Sequence, residues 1–325
     1  MGIETTFKFA HKHAVGAKAA AAEAQIDMLG PLRAFVGNQE KRTWTGTGFN
    51  MIWRPNHGGA SGPKDFFLEL NQTSETLDFT DITGTGVGNR GFNQSDIFLG
   101  AVAYLQQISD RTGPQHFEPG VWANAPATTD PTEPTTVVRM GSIPHGTSIN
   151  LQGVGFQAPA PQISPMTITP FAIGSKDDGQ TNLVHFPEEQ NVQTPMPSRT
   201  SPAVVPGLDD AHLANPNLFL TDVLATHTVL STAVLIITSE VNSTLAPSNA
   251  TPPAPDTGGG TDSIAFLVGG PHGPNAGPAR VTATFWIERV RDSSGKEFDQ
   301  LQYTQRVLLN FNGLSWPHIS VATLR

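Results

Sequence analysis

Three stretches near the end of the chain decide the fold: RVTATFWIERV at 280–290, LQYTQRVLLNF at 301–311 and PHISVATL at 317–324. Polar and apolar residues partly alternate in them, and β-branched and aromatic residues are frequent, which is typical of β-strands. Strands at a chain end of an antiparallel meander can pair with strands at the other end. Such pairing closes a barrel and removes the exposed sheet edges.

The same pattern recurs upstream with turn residues, and no helical pattern, between most of the strands. Further strands are predicted at 42–54, 66–80, 99–108, 116–123, 136–140, 148–156 and 229–241. This order is typical of an all-β protein, either an antiparallel up-and-down β-barrel or a sandwich. We expect the barrel, with residues 1–325 forming a single domain.

Two segments depart from the strand pattern. Residues 1–28 are expected to form an N-terminal helical extension, because 17–29 is rich in Ala, Lys, Glu and Gln. Residues 157–228 are expected to form a long irregular insertion, mostly loop. A short helix capped near Asp209, and interrupted or started at Pro216, is predicted within it.

The composition excludes several classes of function. The net charge is −9 and no cluster of Lys and Arg is visible, so nucleic acid is not expected as a partner. The absence of cysteine excludes disulfides, zinc–thiolate sites and iron–sulfur clusters. The longest apolar stretch, 229–237, is too short to cross a bilayer, so no membrane association is expected and the protein is interpreted as cytoplasmic.

His318 is the first candidate binding residue. Because side chains alternate across a strand, His318 shares a face with Ser320, Ala322 and Leu324. The small residues beside the imidazole leave room for a large planar ligand. From spacing alone, a partly buried histidine bonded to a backbone carbonyl is the more frequent situation.

Four motifs, in order along the chain, resemble the nitrobindin family of heme-binding β-barrels, which are related in shape to lipocalins and fatty-acid-binding proteins. The motifs are LGPLRAFVG at 29–37 followed by WTGTG at 44–48, HFEPG at 116–120, SIPHG at 142–146, and LQY at 301–303 with PHISVATLR at 317–325. The resemblance covers about residues 29–156 and 229–325. The chain is about twice as long as typical members, so it is similar to an enlarged member with insertions.

The resemblance implies heme b as the cofactor, with His318 as the ligand of the iron. It also implies binding of nitric oxide or peroxide-type ligands and isomerisation of peroxynitrite to nitrate, or a peroxidase-like or peroxygenase-like activity. Pro144, Trp44, Gly46 and Gly48 are then expected at the cofactor. For the two glycines, close approach of backbone is an equally good interpretation.

His116 and His145 are the candidate catalytic residues. His116 and Glu118 are two positions apart, so they share one face of a strand and could perform acid–base chemistry beside a ligand. A surface pair at the barrel end is the alternative. His145 lies in a tight turn, from which it could line the barrel mouth or bond across a loop.

Two other functions remain open at this stage. A non-catalytic carrier would hold an apolar small molecule, a lipid or a terpenoid, in the same pocket. A structural protein would use the insertion for subunit contacts in a homo-oligomer. For the heme protein and for the carrier, the expected partner is a small-molecule ligand.

Overall fold

The computed structural model describes residues 27–59, 61–84, 87–89, 91–130, 132–143, 145–175, 181–196, 198–240, 260–263 and 277–325. Within these residues a ring of ten antiparallel strands forms the body of the protein. The ring strands, in spatial order, are β1 (Lys41–Pro55), β2 (Phe66–Asp81), β4 (Ile97–Asp110), β5 (Gly113–Ala125), β8 (Thr136–Ile143), β9 (Thr147–Ala158), β11 (Thr228–Thr238), β13 (Gly277–Arg291), β14 (Glu297–Phe311) and β15 (Leu314–Leu324).

The ring closes where the first strand meets the last. β1 pairs antiparallel with β15 from Gly46↔Leu324 to Ile52↔His318, while β15 also pairs with β14. Every ring strand pairs with the next ring strand along the chain, so the topology is up-and-down. The all-β, barrel-like fold predicted from the sequence is therefore confirmed.

Short strands decorate the ring. β3 (Val87–Asn89) pairs with β4, β10 (Phe171–Ala172) with β15, and β12 (Gly260–Ser263) with β9. β6 (Thr128–Thr129) and β7 (Thr132–Glu133) form a small separate hairpin.

One end of the barrel interior is an apolar core. This core has members on all ten ring strands: Trp44, Leu77, Val102, Trp122, Val137, Leu151, Leu235, Phe285, Leu301 and Leu324. A 3-10 turn at Gly30–Leu32 and the one-turn helix α1 (Arg33–Val36) plug this end. Phe35 of α1 stacks on Phe79, with ring centroids 4.1 Å apart, and its carbonyl accepts a 2.9 Å hydrogen bond from Trp44 Nε1.

The insertion lies on the outer wall of the barrel. A second apolar cluster joins outward-facing residues of β1, β2, β11, β13 and β15 to insertion residues such as Met166, Ile168 and Leu213. Trp53 Nε1 donates to the Ile168 carbonyl at 2.8 Å, which ties the two layers together. The insertion therefore forms a second apolar layer on the outside of the barrel and does not enter its interior.

The insertion contains two short helices. Asp209 caps α2 (Asp210–Ala214) by accepting from the backbone N–H groups of Ala211 and His212, as the sequence predicts. α3 (Leu218–Leu224) follows Pro216, which separates the two helices. No helix among the described residues has the length and apolarity to cross a membrane.

Two expectations lie wholly or mainly outside the described residues. The N-terminal helical extension is described only from Asp27 onward, where the chain enters the turn and helix that plug the barrel. Pro144, the predicted cofactor contact in the β8–β9 turn, is not among the described residues.

Candidate functional site

The barrel interior opposite the apolar core carries histidines. His318 of β15, His116 of β5 and His145 of the β8–β9 turn lie at this end, which we call the histidine end. They come from distant parts of the sequence, and barrel closure brings them together. The three candidate histidines of the sequence analysis are therefore neighbours in space.

His318 faces the barrel interior, as its alternation with Ser320 and Ala322 predicts. Its backbone lies between Ile52 of β1 and Val307 of β14. The imidazole is surrounded by protein atoms, and the residue as a whole is partly accessible. A side chain that lines an interior space has this combination. Among the described residues its ring hydrogen bond is with Ser320, at 3.4 Å between Nε2 and Oγ.

The electrostatics of this end keep His318 neutral. Burial lowers the pKa of His318 to about 3, and the positive potential of His116, His145 and Arg54 adds to this effect. Burial also lowers the pKa of His145, with contributions from His116 and Arg54. A neutral imidazole has a free nitrogen lone pair, which is the form that binds a metal.

His116 and His145 border a cavity of about 600 Å³, which is lined by residues of β2, β4 and β5. Their ring centroids are 5.4 Å apart. Glu75, Ile108 and Phe117 also contribute to the lining, and most of the other lining residues are polar. The cavity therefore lies at the rim of the barrel, with two imidazoles and one carboxyl on its wall.

A buried ionic network anchors His116 from below. Glu118 Oε2 lies 3.6 Å from His116 Nε2, and Glu118 Oε1 accepts from Arg139 Nη2 at 2.6 Å. Tyr104 donates its hydroxyl hydrogen to the same carboxylate. Burial acts to raise the pKa of Glu118, but Arg139, His116 and Tyr104 outweigh it and bring this pKa to about 2. Glu118 is thus a fixed anion under the imidazole.

A second buried carboxyl reaches the cavity. Tyr303 donates to Glu75 Oε2 at 2.6 Å, and Thr73 donates to Oε1 at 2.8 Å. Burial raises the pKa of Glu75, although the bonds from Tyr303, Thr73 and Gln106 act to lower it. Glu75 can consequently hold a proton at the edge of the cavity.

The two glycines predicted at the cofactor have their space filled by the protein itself. A Cβ on Gly46 would lie 2.8 Å from the Cα of Leu324, so this glycine allows β1 and β15 to approach closely. A Cβ on Gly48 would lie 2.7 Å from Thr73 Oγ1 and would also clash with Glu75. Gly48 therefore makes room for the Glu75 carboxyl.

Trp44 is remote from the histidine end. It lies eight positions before Ile52, the β1 partner of His318, which corresponds to ~27 Å along a strand. The indole is fully buried in the apolar core. The structure thus places Trp44 at the plugged base, and it does not line the space near His318.

Sequence reasoning did not identify Glu75, Arg139, Tyr104 or Tyr303. Alternation shows which residues share a face of one strand, but it does not show which strands will be neighbours. Arg139 and Glu118 are 21 positions apart, and Tyr303 and Glu75 are 228 apart. The sequence offers one signal. Tyr104 and Tyr303 are the only two tyrosines of the chain, and both lie in predicted strands.

Side chains alone do not make a metal site here. Among the described residues, no three His, Asp or Glu side chains lie together in a group that could hold a metal ion.

Comparisons with known proteins give little similarity. No family model matches the sequence, and no curated protein sequence matches it. Among solved structures, a crystal structure of Rv2717c from M. tuberculosis is similar at a TM-score of 0.38 and 11% identity, covering 92% of this chain and 97% of that chain. A TM-score below 0.5 carries no weight for fold or function, so both are argued from the chain itself.

Proposed function

We propose that the protein is a heme-binding β-barrel of nitrobindin type, with His318 as the axial ligand of the iron. The observation that supports this most is a neutral imidazole inside the barrel that keeps accessible surface and shares its end with two further histidines. Proximal ligation by a neutral histidine is a common way to hold heme.

A cavity beside His116 and His145 could admit part of such a cofactor. Its volume, about 600 Å³, is within the usual range for small-molecule and cofactor pockets, and His318 is not one of its lining residues. Ile108, which is paired with His116 across β4 and β5, would provide an apolar contact for a porphyrin. Arg54 adds positive potential at both His318 and His145, and its guanidinium is paired with Glu69 at 2.8 Å.

When bound, the heme iron would bind nitric oxide or peroxide and would supply the chemistry that rearranges peroxynitrite to nitrate. The chain's own contribution is acid–base and steric. His116, oriented through Nε2 by the Glu118 anion, would hold or release a proton at Nδ1, the ring nitrogen that does not face Glu118. His145, at the cavity wall, would act as a second proton carrier.

The interior argues against the apolar carrier. A lipid or terpenoid needs no ionisable groups in its pocket, whereas Glu75, His116 and His145 lie on the wall of this cavity. An ionised Glu118 lies directly beneath. A buried ionic layer of this kind favours a polar or charged ligand group.

The proposal is tested by titrating hemin into the purified protein and recording the absorption spectrum. We expect a Soret band in the wild type that weakens in His318→Ala, with hemin affinity lowered at least tenfold. His57→Ala, in an exposed turn, is the matched control and should bind like wild type. Equal hemin affinity in His318→Ala and wild type would contradict axial ligation by this residue.

The acid–base role is tested separately on the hemin-loaded protein. We expect His116→Ala to lower the rate of peroxide or peroxynitrite turnover about 10²-fold or more while leaving hemin affinity within a few-fold of wild type. An unchanged turnover rate in His116→Ala would remove this residue from the reaction.

A further inference from the structure

The outer face of β11, β13 and β14 carries a row of buried polar side chains beneath the insertion. Thr232, Glu288 and Gln300 are each 0–1% exposed. They stand beside apolar residues of the second cluster, including Val234 and Trp286. Polar side chains in such a position need partners, because burial without a hydrogen bond costs roughly 1–3 kcal/mol per group.

The strand register places these side chains next to each other. Thr232 is directly opposite Glu288, and Glu288 is directly opposite Gln300. Directly opposed residues have Cβ atoms about 4.5–5.5 Å apart and point to the same side of the sheet. Gln302, two positions beyond Gln300, lies on the same face. The row therefore concentrates several side-chain oxygens in one small region.

One oxygen of each member lacks a hydrogen-bond partner. Thr232 Oγ1, Glu288 Oε1, Gln300 Oε1 and Gln302 Oε1 are all buried and unpartnered among the described residues. The row's one internal bond runs from Gln300 Nε2 to Glu288 Oε2, at 2.8 Å. The indole N–H of Trp286 is a further buried group on this face without a hydrogen-bond partner. The carboxylate and amide oxygens of Glu288, Gln300 and Gln302 are thus acceptors that receive no hydrogen bond.

Glu288 also lacks the counter-charge that the buried carboxylates Glu118 and Glu189 have. Glu118 is paired with Arg139, and Glu189 accepts from Lys64 Nζ at 2.5 Å. Among the described residues, no ion pair includes Glu288. Burial raises its pKa to about 8, opposed only by the bond from Gln300.

We propose that this row binds a monovalent alkali cation through Glu288, Gln300 and Thr232, with Gln302 as a further oxygen donor. Carboxylate, amide and hydroxyl oxygens are the ligands that hard cations prefer. A single carboxylate neutralises one positive charge. A divalent ion would leave a buried excess charge, which is costly. The site is separate from the histidine end and does not depend on heme.

The test is thermal unfolding of the whole protein at pH 8.5 in increasing NaCl or KCl, with choline chloride holding the ionic strength constant. We expect the Tm to rise by roughly 2 °C per tenfold increase in the bound cation once its concentration exceeds the Kd. Glu288→Gln should lose this dependence. Glu189→Gln, which changes a buried carboxylate paired with Lys64, should keep it.

Three results would overturn the proposal. These are a Tm independent of the alkali cation, the same dependence in Glu288→Gln, or an equal response to millimolar CaCl₂.

A second measurement needs no variant. In crystals soaked with rubidium chloride, anomalous scattering should place rubidium beside Glu288 and Gln300. If rubidium fully occupies a site on the protein surface but gives no peak beside Glu288 and Gln300, the proposal is also overturned.

Discussion

At the residue scale, alternation along single strands predicts a large part of the candidate site. It places His318 on the face it occupies and pairs His116 with Glu118. It does not predict what fills the space beside a glycine, because the filling group comes from another strand. Gly48 is the example, since the Glu75 carboxyl of β2 occupies the room that spacing alone assigns to backbone or ligand.

The buried pair Glu118–Arg139 should make the protein sensitive to acid. Because the folded pKa of Glu118 is about 2, below the ordinary value of 4.5, the pair stabilises the fold above pH 4.5. This stability is lost as the pH falls from about 4.5 through 2, by about 1.4 kcal/mol per pH unit. Urea unfolding at several pH values measures that slope.

The double variant Glu118→Gln/Arg139→Met is the control for this prediction. It removes both charges and leaves neither buried alone, and it should lose this part of the pH slope. Arg139→Met alone should cost about 3–5 kcal/mol, because it leaves a buried anion without its partner. Identical slopes in wild type and the double variant would show that Glu118 is not held as an anion by this network.

At the scale of elements, the strands follow the sequence closely and the insertion does not. Periodicity predicts all ten ring strands, and Asp209 and Pro216 predict where the helices of the insertion begin. The docking position of the insertion has no such signal. It depends on contacts such as Trp53 Nε1 with the Ile168 carbonyl, which join residues 115 positions apart.

The close approach of β1 and β15 should make Gly46 intolerant of a side chain. A Cβ there would press on the backbone of Leu324, which cannot move without shifting β15. We expect Gly46→Ala to destabilise the fold by about 1–3 kcal/mol in urea unfolding. Gly260→Ala in β12 is the control, since a Cβ there meets nothing within 4 Å. Equal stability of the two variants would refute a tight β1–β15 contact.

Arg199 should hold the insertion on the barrel wall. Its guanidinium donates to the carbonyls of Leu68, Asn191 and Thr194 at 3.1, 2.8 and 3.2 Å, and also to that of Glu189. Arg199→Met leaves these carbonyls without their donor, so amide hydrogen exchange in 183–205 should accelerate at least tenfold.

The exposed Arg111→Met is the control for the Arg199 prediction. It removes a cation without touching the insertion, and exchange in 183–205 should stay at the wild-type rate. If Arg199→Met also exchanges at that rate, other contacts hold the insertion in place.

At the scale of the whole molecule, barrel closure creates the candidate site. The pairing of β1 with β15 brings the C-terminal strand into the ring and directs His318 toward the interior. The plug at Leu29–Val36 fills the opposite end with apolar side chains, which leaves the histidine end as the accessible part of the interior. The sequence predicts this closure through strands at both chain ends, but not the layered polarity inside the barrel.

The most direct measurement is a crystal structure of the hemin-loaded protein with data collected at the iron absorption edge. We predict an iron peak inside the barrel that is bonded to a ring nitrogen of His318. An iron peak bound to His116 or His145 instead, or on the outer surface, would contradict the central claim.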